Sequence, residues 1–173
     1  MSRAVLSLGS NSGDRIAELR RAVAGLADVL VVASGVYETP PWGDPDQPAY
    51  LNAAVLVAAA GAAPGEWLDR AQALERAAGR IRDPARRYGP RPLDVDVVAA
   101  WGDDGTPVHA DDPRLTLPHP RAHLRAFVLR PWIDIEPYGR LPGHGWLTDL
   151  LQAEPVAADV PDVRARPDLT LVD

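Results

Sequence analysis

The stretch Gly79–Val98, GRIRDPARRYGPRPLDVDVV, places five arginines (Arg80, Arg82, Arg86, Arg87, Arg91) just ahead of an alternating run that carries Asp94 and Asp96. The alternation has period two, as in a strand, so Leu93, Val95 and Val97 share one face and the two aspartates share the other. By the strand rise, those carboxylates stand about 6–7 Å apart at Cβ. Either they line a solvent-facing edge, as polar residues do in any half-buried strand, or they serve one ligand. Pairing carboxylates with guanidiniums suits a magnesium-bound polyphosphate, which needs acids for the metal and a cationic fork for its oxygens.

Working outward, the strand Pro92–Trp101 (PLDVDVVAAW) is the fourth of its kind. RAVLSLGS reads as a buried first strand ending at Gly9. The next segment places Ile16, Leu19, Val23 and Leu26 at helical spacing, with Ser10, Asn11 and Ser12 as candidate caps and Asp14 in the first turn. VLVVASGVYETP is β-branched and reads as the second strand, and AYLNAAVLVAAA as the third. APGEWLDRAQALERAAG is a second helix, with Pro64 or Gly65 near its start and Gly79 past its end. The order β-α-β-β-α-β predicts an α+β ferredoxin-like core over residues 3–101, an antiparallel sheet with two helices on one face. After the loop GDDGTP, the segment LTLPHPRAHLRAFVLRPW (115–132), within a stretch 106–135 that completes the domain, begins irregular and ends helical. GWLTDLL predicts a short final helix, and the tail from about residue 154 is expected to be irregular. Length predicts one domain over 1–173.

Composition narrows the chemistry. There is no cysteine, which excludes disulfides, thiolate metal sites and thiol nucleophiles. All 18 basic residues are arginine, so neither a P-loop lysine nor a Schiff-base lysine is available. A net charge of −6 with a local arginine cluster argues against general nucleic-acid binding. With no leader-like or membrane-spanning run, the expectation is a cytoplasmic, soluble protein.

Other polar groups are more ambiguous. His119 and His123 have the spacing of two metal ligands on a helix, but no third ligand is near, and a phosphate or ribose contact for His119 fits better. Tyr50 and Asn52 share a strand face, either as a polar patch or as a stacking ring and an amide for a flat heterocycle. Gly9-Ser10-Asn11 after a strand is a weak phosphate-loop signal.

The segments LSLGSNSGD, YETPPWGDPDQPAYLNAAV, LERAAGRIR, RRYGPRPLDVDVV and LTLPHPRAHLRAFVLRPW, in this order over most of residues 4–132, resemble the 6-hydroxymethyl-7,8-dihydropterin pyrophosphokinase family. The resemblance implies a ferredoxin-like fold with a C-terminal extension. It also implies transfer of pyrophosphate from ATP to the pterin hydroxymethyl group in folate biosynthesis, with two magnesium ions. Under it, Asp94 and Asp96 hold both metals, and Arg80, Arg82 and Arg91 serve the phosphates, with Arg80 and Arg91 on a mobile catalytic loop. Tyr88 takes the loop aromatic position. Gln72, Glu75, Val97, Leu115, Thr116, His119 and Arg125 join Arg82 and Tyr88 at the nucleotide site. Thr39, Pro40, Trp42, Tyr50, Asn52 and Phe127 form the pterin pocket, with Tyr50 and Phe127 sandwiching the ring. The chain departs from the pattern in one extra residue near Pro84, which makes Arg86 and Arg87 compete for one position, and in Asp83. Small-molecule partners and a monomer are expected, without nucleic acid or membrane. Two rivals are a two-metal phosphohydrolase using Asp94 and Asp96, and a ferredoxin-like RNA-binding module.

Overall fold

The computed structural model describes residues 1–41, 44–79, 85 and 91–172. Its elements run β1 (Ser2–Ser10), α1 (Arg15–Gly25), β2 (Leu30–Ala33), β3 (Tyr37–Thr39), β4 (Tyr50–Ala59), α2 (Pro64–Ala77) and β5 (Asp94–Trp101). They continue with β6 (Ala110–Asp111), β7 (Thr116–Leu117), α3 (Ala126–Ile135), β8 (Arg140–Leu141), β9 (Gly145–Trp146), α4 (Leu147–Gln152), α5 (Val156–Asp159) and β10 (Arg164–Ala165). The main sheet has the order β10-β3-β4-β1-β5, with β2 also paired to β4. Each pairing is antiparallel, and the core order matches the β-α-β-β-α-β reading.

The two faces of this sheet are covered differently. On one, Leu6 and Leu8 of β1, Ala53 and Val55 of β4, Leu93 just before β5, and Val95 and Val97 of β5 pack against Leu19 and Val23 of α1 and Trp67 and Ala71 of α2. Here Asp14 caps α1 by accepting the Ala17 N–H at 3.2 Å, so the three residues expected as caps are not used. Pro64 opens α2 where no helical N–H is required, and the Glu66 carboxylate accepts the Ala63 N–H.

On the other face lies α3. Val128, Leu129 and Trp132 pack over Val5, Ala54, Val98 and Ala99, and Trp132 meets Trp101 edge to face at 6.4 Å. The helix runs through Pro131 and past Trp132, where the segment expected to end helical stopped, because its apolar side is buried on the sheet. The Tyr37 hydroxyl donates to Asp134 Oδ2 at 2.6 Å and fastens α3 to β3. Burial, reinforced by that carboxylate, pushes the Tyr37 phenol up to about 12.

Two expectations need correction. The second strand is broken into β2 and β3. Ser34 bridges the break, its N–H donating to Ala54 O and its hydroxyl accepting the Ala54 N–H, both at 2.9 Å. The tail after residue 154 is not irregular, since α5 and a 3-10 turn at Val160–Asp162 lead into β10, which pairs with β3. Arg166 then donates to Glu38 at 3.3 Å and to Asp168 at 2.8 Å, while Leu169 and Leu171 reach the α1/α2 core.

Candidate active site

Helix α3 covers only part of its face. At the uncovered end, the strand register sets side chains beside one another. Gly9 of β1 pairs with Asp94 on one side and Asn52 on the other; Ser7 pairs with Asp96 and Ala54. With strands about 4.8 Å apart, Asp94 and Asn52 flank a gap about 10 Å wide whose floor is Gly9. A Cβ at Gly9 would stand 3.2 Å from Asn52 Oδ1 and 3.4 Å from Tyr50 Cδ1. Glycine therefore keeps the floor low enough for a ligand to reach the sheet.

The resulting cavity is lined by Ser7, Gly9, Thr39, Pro40, Tyr50, Asn52, Arg91, Asp94, Asp96, Arg125 and Phe127. Tyr50 enters from the start of β4 and Phe127 from the first turn of α3. Asn52 is buried, and its Nδ2 donates to Thr39 Oγ1 at 2.6 Å. That bond orients the amide with its oxygen toward Gly9. A second cavity adjoins the first. It shares Thr39, Pro40, Arg125 and Phe127, and adds Asp159, Asp162 and Val163 from the tail, which the sequence reading left out of the site.

Charge is arranged in pairs. Arg91 Nη1 donates to Asp94 Oδ2 at 3.0 Å, with both side chains about four-fifths buried. Arg125 Nη1 lies 3.9 Å from Asp96 Oδ2, an ion pair without a direct hydrogen bond. Two oxygen donors on one open strand face suit magnesium, which takes one or two carboxylates and completes its shell with water and phosphate oxygens. Among the described residues no group of three or more His, Cys, Asp and Glu could form a metal cage, so a metal here would depend on ligand oxygens.

The remaining expected residues follow the outer edge of β5. Glu75 is buried and accepts the Val95 N–H at 3.2 Å; the His119 N–H donates to Val98 O at 2.7 Å. Val97 and Leu115 belong to the α1/α2 core, Gln72 is half-buried on α2, and Thr116 is exposed on β7; none of these lines the cavity described above. Burial, with Arg125 and Arg121 adding to it against an opposing Asp94, lowers His119 to about 4. Its ring is therefore neutral at physiological pH. Nδ1 accepts the Arg121 N–H at 3.1 Å, which leaves the hydrogen on Nε2 as a donor. Trp42, Arg80, Arg82, Asp83, Pro84, Arg86, Arg87 and Tyr88 lie outside the described residues, and with them the expected mobility of the arginine loop.

Known proteins resemble this chain over most of its length. The family model for 7,8-dihydro-6-hydroxymethylpterin-pyrophosphokinase (HPPK) matches residues 5–137. The 2-amino-4-hydroxy-6-hydroxymethyldihydropteridine pyrophosphokinase of Mycobacterium tuberculosis is 51% identical over 145 residues, covering 82% of this chain and 76% of that protein. The enzyme of the same name from Methylorubrum extorquens is 45% identical over 141 residues, covering 79% and 84%. Among solved structures, a Plasmodium falciparum HPPK-DHPS triple mutant superposes with a TM-score of 0.63 at 13% identity, over 90% of this chain and 45% of that one. This chain thus spans less than half the length of that solved protein, and at such low identity the likeness speaks for the fold alone.

Proposed function

The chain belongs to the 7,8-dihydro-6-hydroxymethylpterin-pyrophosphokinase family, and from that premise we propose that it transfers pyrophosphate from ATP to 6-hydroxymethyl-7,8-dihydropterin in folate biosynthesis. The observation that carries the reading is one cavity in which the paired acids Asp94 and Asp96 meet Arg91 and Arg125 beside Tyr50, Asn52 and Phe127. Such a cavity has a polyphosphate half and a flat-ring half. In this reading the pterin hydroxyl oxygen bonds to the β-phosphorus, the bond from that phosphorus to the α,β-bridging oxygen breaks, and AMP leaves with the bridging oxygen. The hydroxyl proton passes to solvent, because the carboxylates among the described lining residues, Asp94 and Asp96, are committed to the metal in this reading.

Asp94 and Asp96 would hold two magnesium ions, which supply charge neutralisation for the phosphates. Arg91 and Arg125 flank them and would take phosphate oxygens by bidentate hydrogen bonds. Asn52, with its amide already oriented by Thr39, would read the hydrogen-bonding edge of the pterin, and Tyr50 and Phe127 would stack on its faces. His119, neutral with Nε2–H outward, would donate to the nucleotide without adding charge. Catalysis then rests on placement and electrostatics. The same reading makes the protein a cytoplasmic monomer acting on two small molecules; among the described residues no helix is long and apolar enough to cross a membrane.

The test is incubation with ATP, magnesium and the reduced pterin alcohol, read by mass spectrometry. Equimolar AMP and pterin diphosphate are expected. AMP or ADP released equally fast without the pterin would overturn the reading in favour of a phosphohydrolase.

A further inference from the structure

Asn11 follows the last residue of β1, and Asp14 takes the capping role for which its neighbourhood had been a candidate. Asn11 is nevertheless only 1% exposed, and a buried asparagine requires partners. Its Oδ1 accepts the Arg91 N–H at 2.7 Å, its own N–H donates to Arg91 O at 3.0 Å, and its Nδ2 donates to Pro48 O at 3.4 Å. Both backbone polar groups of Arg91 are therefore held by this one residue.

The register explains the need. The β1–β5 ladder runs only to Gly9 opposite Asp94, and Arg91 lies three residues before β5. Past the ladder's end, the Asn11 side chain substitutes for the carbonyl that a further ladder residue would have offered. A long side chain can be aimed only from a fixed backbone, and the Arg91 guanidinium is aimed at Asp94. On its other side Asn11 holds the carbonyl of Pro48, two residues before Tyr50 in the ring half of the cavity.

We propose that Asn11 is a positioning residue that fixes Arg91 and the Pro48–Tyr50 segment relative to one another, so that the phosphate and ring halves of the cavity are presented together. Which ligand occupies each half rests on the function proposed above. Asn11 does not line the cavity and acts through the residues it holds.

Two substitutions separate its two ties. Asn11→Ala loses both. Asn11→Asp keeps an oxygen for the Arg91 N–H but turns a second oxygen on Pro48 O. For Asn11→Ala, the single-turnover rate at saturating ATP and pterin alcohol is expected to fall about 100-fold, as misplacement of catalytic groups does. Its pterin dissociation constant is expected to rise about tenfold and that of ATP less than about threefold. Asn11→Asp is expected to recover the single-turnover rate to within about threefold of the parent while pterin binding stays about tenfold weak. Hydrogen exchange at the Arg91 amide reads the clamp without turnover: it quickens in Asn11→Ala and stays slow in Asn11→Asp. If Asn11→Ala does not fold, Asn11→Ser, too short to reach Arg91, takes its place. The proposal is overturned if Asn11→Asp matches Asn11→Ala in rate and exchange, which marks a generic structural role. It is equally overturned if Asn11→Ala keeps the parent's rate and pterin affinity. A parent that forms no pterin diphosphate sinks the proposed function, whereas the exchange measurement still decides whether Asn11 holds Arg91.

Discussion

The two faces of the sheet are made from the same strands yet do different work. Toward α1 and α2, β5 and the residue before it present Leu93, Val95 and Val97, buried among leucines, valines and Trp67. One residue out of phase, β5 presents Asp94 and Asp96, partly exposed beside two arginines. Apolar burial sustains the fold on the first face, at about 25 cal/mol for each Å² removed from water. On the second face, α3 buries Val98, Ala99 and Trp101 and leaves the other end of the strand open. The lesson is that a period of two lets a single strand anchor a core and display a site, with the division between the roles falling between adjacent residues.

The sharpest way to break that division is to cross it with substitutions. Asp96→Ala, or Asp94→Ala, is expected to lower turnover at saturating magnesium by at least about 10³-fold while shifting the urea midpoint little. Steady-state assay and urea denaturation on the same preparation check both halves of the statement. On the opposite face, Trp67→Ala should do the reverse, costing about 3–5 kcal/mol of stability with near-parent turnover at a temperature where the variant remains folded. Should Trp67→Ala lose activity in step with Asp96→Ala, the two faces would not be separable.

A finer cut falls within the open face. Asn52→Ala removes a buried amide from the ring half, so pterin binding should weaken by about 1–3 kcal/mol with ATP binding far less affected. Calorimetry with each ligand alone would decide, and equal losses would join the two halves into one. The smallest effect concerns acid. His119 titrates at about 4 in the fold against an ordinary 6.5, so the unfolded chain takes up its proton first. The stability it contributes is complete above pH 6.5 and is lost as pH falls toward 4. Urea curves across that window should fall less steeply for His119→Gln than for the parent.

What the sequence told and withheld follows the range of the interactions. The β-α-β-β-α-β order and the shared face of Asp94 and Asp96 are local periodicities, and both appear in the structure. The pairing of Tyr50 with Asn52 was equally legible, and both line the cavity. The break between β2 and β3 was not, because Ser34 and Gly35 interrupt a run whose β-branched character continues on either side. Nor was the docked tail: β10 is two residues long, and the Arg166–Glu38 ion pair joins positions 128 residues apart. Asn11 was read as a helix cap because its neighbours in sequence suggested that, while its partners lie 37 and 80 residues away. For Val97 and Leu115 a place in the nucleotide site was expected, and the structure places their side chains in the core.

The closed borders of the sheet also bear on how the chain behaves in a crowd. A strand with a free row of N–H and C=O groups is a template on which other chains can add. Here β10 sits on β3, bringing Arg164 and Arg166 to that border, and β2 is only four residues long and carries a bulge. Along β5, Val108 donates to Ala100 O, His119 to Val98 O, and Glu75 takes the Val95 N–H. Two of those three covering residues, Glu75 and His119, belong to the group expected at the nucleotide site. The residues that prepare this edge for a ligand therefore also deny it to a stray strand, and a variant that loosens them should foul its own solution before it loses its fold.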